Sequence, residues 1–297
     1  MQMYNILGNR KYFYIISGTL MLLSVIALSV WGLRYGLDFT GGTLMEVQNV
    51  KAQSGDIKIV LSDAGINDAV VSPTQNNGYL IRYANSNDEK NQEVLKKLRG
   101  KFPEIKNTRL DYIGPSISSE LKSKAIWALL VAVIGIALYI AYAFRKVSRP
   151  VESWKYGVGA VVALVHDVLI TVGIFAILGH FWGIEVDSSF IAALLTILGF
   201  SVHDTIVVYD RTRENLLRSG SSEKFDETVN RSLNETMARS ISTSLTVIVT
   251  LLAIFIFGGQ SIKTFTLALL VGIVFGTYSS IFVASALIVD WWKWDKT

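Results

Sequence analysis

Two carboxylic acids and two imidazoles lie within stretches otherwise too apolar to hold them. His166 and Asp167 stand together in one such run, and His203 and Asp204 in another. A charged side chain at the centre of a bilayer costs at least about 2.5–3.5 kcal/mol, so it faces protein or trapped water and by default marks an ion or proton pathway. Burial favours the neutral acid, and a nearby guanidinium favours the carboxylate. Arg239, at the start of a further apolar run, can therefore act as a switch for Asp204: a helix movement that joins them releases a proton, and separation takes one up. Ser242, Thr243, Thr246 and Thr250 follow Arg239 at helical spacing, and Thr205 adjoins Asp204. The candidate proton path or polar interface thus extends to these hydroxyls and to His203, His166 and Asp167. The stripe on the Arg239 helix is expected to turn towards other helices or water rather than lipid. Neighbouring helical residues point about 100° apart. Neither histidine is therefore expected to pair with its adjacent aspartate, and the four groups are expected to spread around a shared helical interface.

Structural readings stand beside the functional ones. Each acid could serve only to tie helices together, and Arg239 could snorkel to the membrane surface with Glu235, one turn back, as its partner. Histidine and aspartate also ligate zinc, but the chain holds no H-E-x-x-H. No metal or organic cofactor is expected, protons being the coupling ion. With no cysteine, disulfide scaffolds, thiolate zinc sites and cysteine nucleophiles are excluded. The net charge of +4 gives no nucleic-acid signal, and no catalytic constellation of an enzyme is evident.

The elements that must position these groups are membrane spans. Of 297 residues, 51% are hydrophobic and 18% charged, against about a quarter charged in soluble domains; mean hydropathy is +0.41. Nearly uncharged runs occupy roughly 13–33, 125–144, 157–179, 188–209, 240–257 and 264–289. At about 1.5 Å per residue each crosses about 30 Å of hydrocarbon, the fifth only by starting earlier. Arg10 and Lys11 precede the first run, which is too long for a signal peptide and lacks an A-x-A cleavage pattern, so it reads as a retained signal-anchor. Arg145, Lys146, Arg149 and Lys155 follow the second run, Arg211, Arg213 and Arg218 the fourth, and Lys293 and Lys296 the sixth. The positive-inside rule places these loops and both termini in the cytoplasm and the long segment after the first span outside. Trp291, Trp292 and Trp294 mark the last membrane boundary.

The expected organisation is a cytoplasmic N-terminus and first span over 1–34, an exported domain over 35–122, and a five-helix region with a cytoplasmic C-terminus over 123–297. In the exported domain, Thr43–Val50 alternates as a strand and Asp56–Ala64 reads as a helix. Ala69–Ser72 and Tyr79–Tyr83 read as strands joined by a turn at Asn76–Gly78. Asp88–Phe102 is helical, with Val94, Leu95 and Leu98 on one face, and Thr108–Ile113 is the last strand. The order βαββαβ predicts a small ferredoxin-like α+β domain beside an all-α bundle of six transmembrane helices. Asp38, Gly41 and Gly42, at the outer mouth of the first span, suit a tight turn or a hinge. On the last span Ala268, Gly272, Gly276, Ser280 and Ala284 form a ridge of small residues for close packing. Phe225, Val229, Leu233 and Met237 predict a helix lying in the membrane interface ahead of the fifth span.

Five motifs occur in order along these elements. They are Gly36-Leu37-Asp38-Phe39-Thr40-Gly41-Gly42, His166-Asp167-Val168-Leu169-Ile170-Thr171, Asp204-Thr205-Ile206-Val207-Val208-Tyr209-Asp210-Arg211 with Arg213-Glu214-Asn215, Arg239-Ser240 with Thr243-Ser244, and Gly276-Thr277-Tyr278-Ser279-Ser280. Together, and over the whole chain, they resemble the SecF-type members of the SecD/SecF family, within the resistance-nodulation-division superfamily. The resemblance implies pairing with SecD and assistance to preprotein translocation through the SecYEG translocon in the cytoplasmic (inner) membrane. It also implies energy drawn from the proton gradient and transport roles for Asp204 and Arg239. His203 departs from the family, which commonly has an amide there. Two other readings are a proton-driven exporter of the same superfamily, for which a longer chain with two six-helix halves is expected, and a passive scaffold for SecD.

Overall fold

A computed structural model describes residues 4–50, 52–74, 78–84, 87–145, 151–219 and 223–294. In chain order the elements are α1 (Arg10–Val30), the short α2 (Leu37–Thr40), β1 (Gly42–Gln48), α3 (Ser54–Asp63), β2 (Val70–Thr74), β3 (Gly78–Tyr83), α4 (Asp88–Lys101) and β4 (Lys106–Ile113). The long helices α5 (Pro115–Ala143), α6 (Ser153–Trp182), α7 (Ser188–Ser219), α8 (Phe225–Phe257) and α9 (Gln260–Ser279) follow. A π-helical turn at Ser280–Ala284 leads from α9 into α10 (Ser285–Trp294). The chain divides into two compact units, one of Met1–Arg34 with Ile126–Thr297 and one of Tyr35–Ala125.

The smaller unit is a four-stranded antiparallel sheet in the order β2-β3-β1-β4, the βαββαβ arrangement that the strand and helix patterns predict. Alternation along β1 buries Met45 and Val47, and Met45 lies opposite Ile81 of β3. They pack with Ile57 and Leu61 of α3 and Val94 and Leu98 of α4. A capping box between Gln53 and Asp56 starts α3, and Asn87 Oδ1 accepts from Lys90 N at 2.8 Å to start α4. Gly41 and Gly42 take φ of +70° and +109°. A Cβ on Gly42 would lie 2.5 Å from the Tyr83 carbonyl oxygen, so only glycine lets the chain enter β1 against β3. Asp38 occupies the first turn of α2. Asn76 and Asn77 of the predicted turn, and Lys146, Arg149 and Lys296, lie outside the described residues.

Among the described residues six helical stretches are long and apolar enough to cross a membrane: Leu7–Val30, Pro115–Ala143, Ser153–Trp182, Ser188–Arg218, Phe225–Phe257 and Ile262–Trp294. Gly183, left-handed at φ +69°, ends α6. The predicted interfacial helix is absent as such. No glycine or proline interrupts 225–257, and α8 runs through that stretch unbroken. Phe225, Val229 and Leu233 are buried against Leu7, Phe144, Tyr156 and Ile288, with Met237 partly buried against the same cluster. That apolar stripe packs on protein instead of lying flat in lipid. The N-terminal segment is pinned there, with the backbone N–H groups of Ile6 and Leu7 donating to Asn230 Oδ1 and that of Tyr4 to Asn234 Oδ1.

Candidate functional site

A polar layer separates two apolar clusters in the larger unit. Along α7, Phe190 to Ile197 belong to one cluster and Val208 and Tyr209 to the other, with Ser201, Asp204 and Thr205 between them. The same order holds on α6, where Asp167 falls between Ala163 and Phe175. On the last span Thr277, Ser279 and Ser280 fall between Ile273 and Ile281. Tight packing holds the layer closed. A Cβ on Gly272 would lie 2.1 Å from Ile197 Cδ1, and one on Gly276 would lie 3.0 Å from Ser201 Cβ, so the small-residue ridge lets α9 approach α7.

Asp167 is a hub for three helices. It is fully buried, and its Oδ2 accepts from Ser201 Oγ of α7 at 2.5 Å and from Ser279 Oγ of α9 at 2.8 Å. Its Oδ1 lies 2.9 Å from His166 Nδ1. This overturns the expectation that the adjacent histidine and aspartate stay apart. Although their Cα–Cβ bonds diverge, an imidazole is long enough to swing its Nδ1 back to the neighbouring carboxylate when packing confines both. Here the ring stacks on Tyr278 at 6.1 Å between centroids, and its Nε2 is buried with no partner among the described residues. Ser280 Oγ extends the network to Ser201 O at 3.0 Å and Thr205 Oγ1 at 2.8 Å.

Asp204 is held differently. It is 3% exposed and faces the hydroxyls of Ser240 on α8 and Thr277 on α9. Yet its Oδ2, and Ser240 Oγ, are buried atoms with no hydrogen-bond partner among the described residues. Thr277 Oγ1 is engaged with Ser244 Oγ at 2.5 Å. An ionised Asp204 would draw hydroxyls from α8 and α9 towards α7, whereas a protonated one needs fewer donors. Gain or loss of one proton thus changes how three helices are held together.

Arg239 does not join this site. It is exposed on the chain's surface, as are His203, Ser242, Thr243, Thr246 and Thr250, and it makes no ion pair among the described residues. Glu235, its suggested i,i+4 partner, pairs instead with Arg211 at 2.5 Å. The buried polar face of α8 is Thr236, Ser240 and Ser244, one or two residues out of phase with the predicted stripe. Both sets repeat at helical spacing, and the packing of α7 and α9 decides which is buried. Ser201 carries little signal as a lone serine in an apolar run, and Ser279 stands in the Gly276–Ser280 motif with nothing local to tie it to Asp167. His166, Asp167, His203 and Asp204 do not form one cluster: three are buried and His203 is not.

These features define a class: a polytopic membrane protein with one small α+β unit and a buried carboxylate layer among its spans. Comparisons with known proteins narrow it further. The model of the SecD/SecF C-terminal family of protein export membrane proteins matches residues 93–294, and the SecD/SecF GG motif matches 26–48, which includes Gly41 and Gly42. The chain belongs to the SecD/SecF family. It is 46% identical to the protein translocase subunit SecF of Thermobaculum terrenum, over 97% of this chain and 94% of that protein. It is 38% identical to that of Anaerolinea thermophila, again over 97% and 94%. Among solved structures it resembles the translocon-associated membrane protein SecDF from Thermus, with a TM-score of 0.82 and 34% identity. That match covers 98% of this chain but 39% of the SecDF chain, so this chain spans about two-fifths of it.

Proposed function

We propose that this chain is the SecF-type subunit of a proton-driven accessory to the Sec translocase, paired with SecD and acting with SecYEG on translocating preproteins in the cytoplasmic membrane. Full-length similarity to translocase SecF subunits supports the role. A solved relative more than twice as long, in which this chain corresponds to one part, supports SecD as the partner. The loop arginines and lysines support cytoplasmic termini and export of the smaller unit.

One observation carries the coupling reading: Asp204, buried in the spans beside the hydroxyls of Ser240 and Thr277 on two other helices, keeps one carboxyl oxygen with no hydrogen-bond partner among the described residues. Intramembrane acids of this kind mark proton relays. Each proton crossing the membrane delivers about 2.3 kcal/mol per 100 mV, enough to favour one arrangement of α7, α8 and α9 over another. Arg239 acts on this cycle from the surface of α8 that its own chain leaves open, in an arrangement other than the one described. In energised vesicles containing SecYEG and SecD, Asp204→Asn is expected to abolish proton-gradient-dependent stimulation of translocation while leaving assembly with SecD intact, and Arg239→Met to reduce it. Unchanged stimulation in Asp204→Asn refutes the reading.

A further inference from the structure

Three hydroxyls on α7, those of Ser201, Thr205 and Tyr209, recur every fourth residue and so share one face of the helix. All three positions engage the junction between α9 and α10. Ser280 Oγ donates to Ser201 O and meets Thr205 Oγ1, and Tyr209 Oη donates to Ala284 O at 3.1 Å. Ser280 and Ala284 are the first and last residues of the π-helical turn, whose first carbonyl also accepts from Ser285 Oγ at 2.9 Å. A π turn holds one residue more than its α counterpart, is rare, and occurs mostly as a single bulge at functional positions.

The turn is a seam between two sets of charged contacts. Before it, Thr277 faces Asp204 and Ser279 bonds Asp167. Beyond it, α10 carries Asp290, which pairs with Arg10 at 2.8 Å and accepts from Tyr14 Oη at 2.8 Å, and Lys293, which pairs with Asp226 at 2.9 Å. Resolving the π turn into α-helix shifts α10 by about 1.5 Å along its axis and about 100° around it relative to α9. That movement breaks each of these ties. Asp204 lies between Ser201 and Tyr209 on α7, so a displacement of α7 reaches the turn through the hydroxyl bonds on either side. Room for Tyr209 is made by Gly159, where an added Cβ would lie 2.7 Å from Oη.

We propose that the π turn at Ser280–Ala284 is the element that reads the state of Asp204, and that Tyr209 is the positioning residue that holds it in register. The proposal rests on Asp204 as the proton-carrying group. Gain or loss of the proton moves α7 against α9; the turn then slips between its π and α forms, and α10 exchanges its ties to α1 and α8.

The chain has no cysteine, so paired labels can be placed cleanly. Leu217→Cys and Trp294→Cys, at positions 79% and 75% exposed, take spin labels on the full chain reconstituted with SecD in vesicles. Pulsed-EPR distances are compared with and without Asp204→Asn. The expected result is a shift of the α10 label on introducing Asp204→Asn. That shift is abolished when Phe282 is deleted, which fixes the turn as α-helix, and diminished in Tyr209→Phe. An equal shift in both altered chains overturns the proposal, as does an unmoved label in an Asp204→Asn chain that has lost gradient stimulation. Should the deleted chain fail to fold, Tyr209→Phe, which removes a single hydroxyl, decides the matter alone. Stimulation that survives Asp204→Asn overturns both this proposal and the reading beneath it, whereas a failure confined to the label distances leaves that reading standing.

Discussion

Asp167 and Asp204 are the same side chain, buried in the same polar layer, one helix apart, yet the protein treats them in opposite ways. Asp167 is saturated: two serine hydroxyls and an imidazole nitrogen converge on it from its own helix and two others. Asp204 has hydroxyls before it but an oxygen left over. Burial is therefore not what distinguishes a proton carrier. A carboxylate with both oxygens engaged by donors is a bolt, since its donors lose their partners whenever it changes state. One whose donors must still rotate or approach is a switch.

The difference predicts unequal costs of mutation. Asp167→Ala leaves Ser201 and His166 with unmet hydrogen-bonding groups in a dry layer, at about 1–3 kcal/mol each, whereas Ser279 keeps the Gly276 carbonyl as an acceptor at 3.1 Å. The variant is expected to lose on the order of 2 kcal/mol or more, read as a large fall in thermal unfolding temperature in detergent. Asp204→Ala removes no comparable set of bonds and is expected to cost below about 1 kcal/mol in the same assay. Equal losses would erase the distinction.

The smaller unit supplies a reference outside the membrane. Tyr83, buried in its core, donates to Asn91 Oδ1 at 2.8 Å. Burial pushes its phenol from the usual value near 10 up to about 12, with the Thr43 hydroxyl opposing slightly. Because the folded form binds the proton more tightly, its stabilising contribution is complete below pH 10 and is lost as the pH rises through about 12. At about 1.4 kcal/mol per unit this is worth on the order of 3 kcal/mol. Alkaline unfolding of the smaller unit, followed by tyrosinate absorbance and circular dichroism, is expected in that window and is expected to be weakened in Tyr83→Phe. An identical alkaline transition in Tyr83→Phe would assign it elsewhere.

Much of the scaffold is legible in the amino-acid sequence because its causes are local. Nearly charge-free runs locate the six spans found among the described residues, and period-two alternation with Asn and Gly breaks locates the strands of the smaller unit. The site is legible only in part. Asp204 and Asp167 stand out as acids in apolar helices, but nothing local says which is saturated, since Ser201 and Ser279 lie 34 and 112 residues from Asp167. The buried hydroxyl face of α8 is hidden for a related reason: Ser240 and Ser244, like Ser242 and Thr246, are an i,i+4 pair, and only the neighbouring helices choose between them. The Phe225–Met237 stripe announces an apolar partner without saying whether that partner is lipid or the N-terminal segment.

The claim that Asp204, and not Asp167, exchanges a proton is tested most directly by infrared difference spectroscopy of the full chain with SecD in vesicles stepped in pH. A carboxylic-acid carbonyl band that rises and falls with pH is predicted in the unaltered chain, absent in Asp204→Asn and retained in Asp167→Asn. A band that survives Asp204→Asn and disappears in Asp167→Asn would contradict the account.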